Sequence, residues 1–152
     1  MNSEALIKGR IAEHIIELLL EESGYTIIRI AQEGLLTNMA RSNIIKLRKT
    51  NSAGKITTAP SFAVIDKSGV NLRLLKVKYW GEGKSGGNVA HGMRQIQQYW
   101  PEAMLVVLSR RQPFFRVIDG RGGEVPLETV FPGIKKETLL RFGRLTTKFF
   151  AK

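Results

Sequence analysis

The chain contains no cysteine, so disulfides and thiolate metal sites are excluded and a reducing compartment, the cytoplasm, is the natural expectation. Histidine is nearly as scarce. His14 and His91 are the two in 152 residues, too few for a multi-histidine metal centre. Long apolar runs are missing as well: stretches such as Leu18 to Leu20 fall far short of the roughly 20 residues that span a bilayer. Asn2 to Lys8 carries an acid and lacks the apolar core of a signal peptide, so no membrane association is expected. Acidic residues are the last shortage. Thirteen Asp and Glu stand against 24 Lys and Arg, giving a net charge of +11 and a pI near 10.3. A balance of that kind favours a polyanionic partner, with nucleic acid ahead of an anionic membrane surface.

What is present is ordinary for a globular protein: 43% hydrophobic and 24% charged residues, in a length that suits one domain spanning 1–152. Two neighbouring segments read as strands, Thr58 to Asp66 and Asn71 to Tyr79, with Lys67 to Val70 as the turn between them. Alternation along the second strand puts Leu72, Leu74, Lys76 and Lys78 on one side and Arg73, Leu75 and Val77 on the other. Two ammonium groups side by side on an otherwise apolar strand repel each other and call for an explanation.

Around this pair, the chain begins with a helix capped by Asn2 or Ser3 and running to about Glu22. Its inward face carries Leu6, Ile7, Ile11, Ile15, Leu18 and Leu19, with Glu13 near the edge of that face. Ser23-Gly24 ends it, and Tyr25 to Ala31 follows as a strand. Leu35 to Thr50 reads either as a short helix or as a strand through Ile44 to Arg48, and Asn51 to Gly54 reads as a turn. Gly81 to Gly87 is a glycine-rich loop without the spacing of a phosphate-binding loop. Asn88 to Tyr99 is helical, with Met93 and Ile96 inward and Tyr99 or Trp100 beside them. Ala103 to Ser109 suits a central strand covered on both faces. Phe114 to Ile118 is its hairpin partner, and Lys135 to Phe150 closes the chain as a basic amphipathic helix. The fold expected is α/β, in three layers, with a mixed central sheet flanked by helices.

Four short motifs fall in order along residues 5 to 118. They are Lys8-Gly-Arg-Ile-Ala-Glu13, Pro60-Ser61, Lys76-Val-Lys78 and Gln95-Ile-Gln-Gln-Tyr99. Together they resemble the PD-(D/E)XK, or restriction-endonuclease-like, nuclease superfamily, with its Holliday-junction resolvases and RecB-type nucleases. The resemblance implies a first-helix acid at Glu13, a Pro-Asp whose acid is here Ser61, a Glu-x-Lys whose acid is here Lys76 and whose lysine is Lys78, and the Gln-x-x-x-Tyr helix of the RecB-type branch at Gln95 and Tyr99. Phosphodiester hydrolysis by such a site needs a divalent cation, Mg²⁺ or Mn²⁺, on oxygen ligands. A serine hydroxyl is a poor ligand, and a protonated lysine repels the ion by about 1–4 kcal/mol at effective protein dielectrics.

The resemblance therefore implies a degenerate catalytic set at Glu13, Ser61, Lys76, Lys78, Gln95 and Tyr99. No cofactor is expected, and Glu13 is the one retained ligand. The expected function is a pseudo-nuclease that binds DNA or RNA with little sequence selectivity. Its basic surface would comprise Lys46, Arg48, Lys49, Lys55, Lys76, Lys78, Lys84 and Arg94. Two other readings stay open at this point. One is a metal-dependent nuclease whose ligands have migrated, or an active-site-substituted form of an active nuclease. The other is a protein-interaction scaffold that keeps only the fold. A homodimer is compatible with all three.

Overall fold

In the computed structural model, residues 3–30, 51–80, 86–118 and 123–150 are described. Helix α1 spans Ser3–Glu22, and its apolar stripe Ala12, Ile15, Ile16, Leu19 and Leu20 is buried. The helix stops in a Schellman turn. Gly24 N–H donates to the Glu21 carbonyl and Tyr25 N–H to the Leu20 carbonyl, each at 3.0 Å, while Gly24 takes φ +94°.

Strand β1 (Thr26–Arg29) follows α1, and helix α2 (Asn51–Thr57) precedes strands β2 (Phe62–Ile65) and β3 (Leu72–Tyr79). Helix α3 (Gly86–Tyr99) leads to β4 (Ala103–Leu108), β5 (Phe115–Ile118) and β6 (Glu124–Pro126). Two last helices complete the described residues, α4 (Leu127–Val130) and α5 (Lys136–Phe150). The six strands form one sheet in sequential order. Neighbours are antiparallel except β3 and β4, which are parallel with Lys76 beside Leu105 and Lys78 beside Val107. A parallel pair needs a crossover, and α3 supplies it.

The sheet divides two cores. Leu75 and Val77 of β3 join Val106, Leu108 and Val117 under α1, α4 and α5. Leu74 and Trp80 join Leu105, Val107, Met93 and Ile96 under α3. The arrangement is helix, sheet, helix, as expected for an α/β fold of three layers with a mixed sheet. Among the described residues, no helix is long and apolar enough to cross a membrane.

Three local readings change. Ile7 and Leu18, expected on the inward face of α1, are exposed, because the buried stripe runs through Ala12, Ile15, Ile16, Leu19 and Leu20. Asn51 to Gly54, expected as a turn, opens helix α2. The reason is tertiary: Gly54 leaves the space that the Tyr99 ring fills, and Trp100 Nε1–H donates to the Lys55 carbonyl at 3.1 Å. Strand β2 is shorter than Thr58 to Asp66. Thr58 caps the end of α2 instead, its Oγ1–H donating to the Gly54 carbonyl at 2.7 Å. The expectations for Leu35 to Thr50 fall outside the described residues, as do Gly81 to Ser85.

At Asp66 the β2–β3 turn is held by its own side chain. Ser68 Oγ–H and Asn71 Nδ2–H each donate to the carboxylate at 2.6 Å, and these bonds hold its pKa at about 2. Asp66 is thus a turn-fixing acid at the opposite end of β2 from Ser61.

Replacing Gly24 with alanine forces a side chain into the left-handed backbone region and against the Lys67 side chain. Chemical denaturation is expected to show a loss of about 1–2 kcal/mol.

Candidate functional site

Strand β3 carries the site. Its alternation delivers Lys76 and Lys78 to the face under α3, next to the apolar residues Leu105 and Val107. Lys76 is only 5% exposed, whereas Lys78 is half-buried toward the strand end. An ammonium in such surroundings keeps its charge only where polar groups reach it. Ser61 bonds to the backbone on either side of Lys76.

Ser61 stands at the bend that opens β2 and is fully buried. Its N–H donates to the Leu75 carbonyl at 2.6 Å, and its Oγ accepts the Val77 N–H at 3.1 Å. It is therefore hydrogen-bonded to both residues that flank Lys76. The hydroxyl takes over where the β2–β3 ladder runs out, so its oxygen is committed to the backbone. Pro60, also buried, stands just outside this last rung.

The structure thus brings Ser61, Lys76 and Lys78 together on β2 and β3, and Glu13 comes from α1. Glu13 is buried on α1, which packs on the other face of the sheet. Its field acts on Arg29 of β1.

On α3, Arg94 and Gln95 are exposed. Tyr99 lies partly buried against Gly54 of α2, a packing position. Trp80 lies beneath Gly92, where a Cβ would sit 3.7 Å from the indole. Lys55 is exposed on α2. Lys46, Arg48, Lys49 and Lys84 lie outside the described residues.

The donor chemistry at the Ser61–Lys76 junction does not fit a divalent cation. The oxygen offered there is neutral and already hydrogen-bonded, and its neighbour is an ammonium. Among the described residues, no three His, Asp or Glu side chains gather as a metal-holding group.

A second polar cluster, gathered around the buried Glu17, was not foreseen. Arg29 forms a two-pronged pair with Glu17: Nε–H to Oε2 at 2.7 Å and an Nη2–H to Oε1 at 2.6 Å. His14 Nδ1 lies 3.3 Å from the same carboxylate. The hydrogen bonds from Arg29 hold the Glu17 carboxyl below its ordinary pKa, against the opposing pull of burial. Glu17 raises the Arg29 pKa in return. The signal in the sequence was position: Glu17 follows Glu13 by one helical turn, between the buried Ile16 and Leu19. A carboxylate in a buried stripe requires a cation.

Compared with known protein families and with curated proteins, the chain matches no family model and no individual protein.

Ser61→Ala leaves the buried Val77 amide without its acceptor and is expected to lower stability by about 1–3 kcal/mol in denaturant titrations. For the Glu17–Arg29 pair the pH dependence follows from the direction of the shift. A carboxyl whose pKa is depressed on folding contributes stability above its unfolded value and loses it as pH falls through the folded value. Arg29→Met should therefore unfold at lower denaturant than wild type at pH 7. That gap should narrow as the pH drops below the ordinary carboxyl value of 4.5. A gap constant between pH 7 and pH 3 would contradict this account of the pair.

Proposed function

We propose that the chain is a nucleic-acid-binding protein of the PD-(D/E)XK nuclease-like class that binds without cutting. The observation that supports it most is the junction of Ser61 with Lys76: the place where such a nuclease holds metal-binding carboxylates carries a backbone-bonded hydroxyl and a lysine. The described elements run α1, β1, α2, β2, β3, α3 and β4, an order compatible with this reading.

Charge supplies the rest of the reading. Lys78 at the strand end, Arg94 on α3 and Lys55 on α2 stand on the α3 layer, with the buried Lys76 adding positive potential behind them. A lysine contacts phosphate as a point charge and so takes over part of a cation's electrostatic role without its Lewis acidity. Contacts of this type fix a backbone in place and read no base edges. The partner is DNA or RNA, recognised by its phosphates, and the affinity falls steeply with salt.

The test is fluorescence anisotropy with labelled duplexes of unrelated sequence over a range of salt. Wild type is expected to bind all of them with similar affinity. Lys78→Ala combined with Arg94→Ala should weaken binding uniformly and reduce the slope of log K against log salt by about 2. No binding even at low salt would leave a scaffold reading in its place.

A further inference from the structure

The charge of +11 is not confined to the α3 layer. On the opposite face of the sheet, α5 carries Arg141, Arg144 and Lys148, and from Thr138 to Phe150 it has no acid. Phe142, Gly143, Thr146 and Phe150 turn inward, and Arg144 and Lys148 are exposed. Arg141 is engaged with Glu22 of α1. Arg144 and Lys148 are one helical turn apart, about 6 Å along the axis. Duplex DNA carries a phosphate charge about every 3.4 Å of each strand, so one strand lies within reach of both.

A second segment adds to this surface. The connection from β4 to β5 contains Arg110 and Arg111, and it is docked on α5. Thr147 Oγ1–H donates to the Arg110 carbonyl at 3.2 Å. The Phe114 ring closes over Gly143, where a Cβ would sit 2.7 Å from Cδ2. The backbone of the connection is therefore fixed to the helix face by a hydrogen bond on one side of the arginines and by a ring on the other. Arg111 is exposed and Arg110 half-buried. Arg110 and Arg111 thus lie in a segment that packs on the helix carrying Arg144 and Lys148.

We propose that α5 and the β4–β5 connection form a second binding surface for the phosphate backbone of nucleic acid, on the sheet face opposite Lys78 and Arg94. With a basic surface on each outer layer, one molecule holds two duplex segments at once. The proposal extends the reading of the α3 layer, and it stands or falls separately from it.

The experiment compares wild type with two variants, Arg144→Gln/Lys148→Gln and Lys78→Ala/Arg94→Ala, each checked for native circular dichroism. Capture of a labelled duplex by a bead-bound duplex reads bridging, and anisotropy over a salt series reads the contacts. Wild type should bridge, and each variant should still bind one duplex without bridging. For the α5 variant the salt slope should fall by about 2, and affinity at about 0.1 M salt by roughly 10- to 100-fold for that surface. Arg110→Gln/Arg111→Gln should reproduce the loss of bridging.

An α5 variant that bridges and keeps the wild-type slope overturns the proposal, including the case of a dimer that bridges through two α3 surfaces. Loss of all binding in the Lys78→Ala/Arg94→Ala variant alone overturns it too and leaves the α3 reading intact. Loss of all binding in the α5 variant alone does the reverse. Sedimentation of wild type with phosphatidylserine vesicles, together with no retention of duplex, assigns the helix to a lipid surface and overturns both.

Discussion

The alternation of β3 is the constraint on which the rest depends. Because side chains two apart share a face, Leu75 and Val77 enter the core under α1, and Lys76 and Lys78 go to the layer under α3. A slip of one residue would drive both lysines into the larger core, so the register is strongly specified. Three features hold it: the antiparallel pairing with β2, the parallel pairing with β4, and the two hydrogen bonds from Ser61 on either side of Lys76. Ser61 is thus better understood as the end of a ladder than as a displaced metal ligand.

The cost of a buried ammonium gives the junction its chemical sense. A charge at 5% exposure beside Leu105 and Val107 persists in a fold only if polar groups compensate it. The same charge that disfavours a divalent ion favours a phosphate. On the other layer, the Glu17–Arg29 pair secures α1 to the edge strand β1, and Glu13 faces that same region. The first-helix acid is thus buried on the same helix as Glu17.

Periodic features were legible in the sequence. Ile15 and Leu19 of the α1 stripe, the two faces of β3, the doubly covered β4 and the basic helix α5 each follow from one repeating pattern and are present in the fold, whereas Ile7 and Leu18 of that stripe are exposed. What depended on a distant partner was not legible. Asn51 to Gly54 has turn composition, and only the Tyr99 ring and the Trp100 indole, more than forty residues away, make it helical. Tyr99, the last residue of the Gln-x-x-x-Tyr motif, packs on Gly54. Glu17 and Arg29 are 12 residues apart and meet because α1 folds back over β1. The short strand β6 and the helix α4 have too few residues to carry a period.

The most direct measurement is incubation of plasmid, linear and branched DNA with the wild-type chain in Mg²⁺, Mn²⁺ or EDTA, with part of each sample run as a gel shift and part deproteinised. Retarded DNA that is recovered intact under all three conditions is the predicted result. Metal-dependent cutting that EDTA stops and Lys78→Ala abolishes would contradict the account and identify an active nuclease.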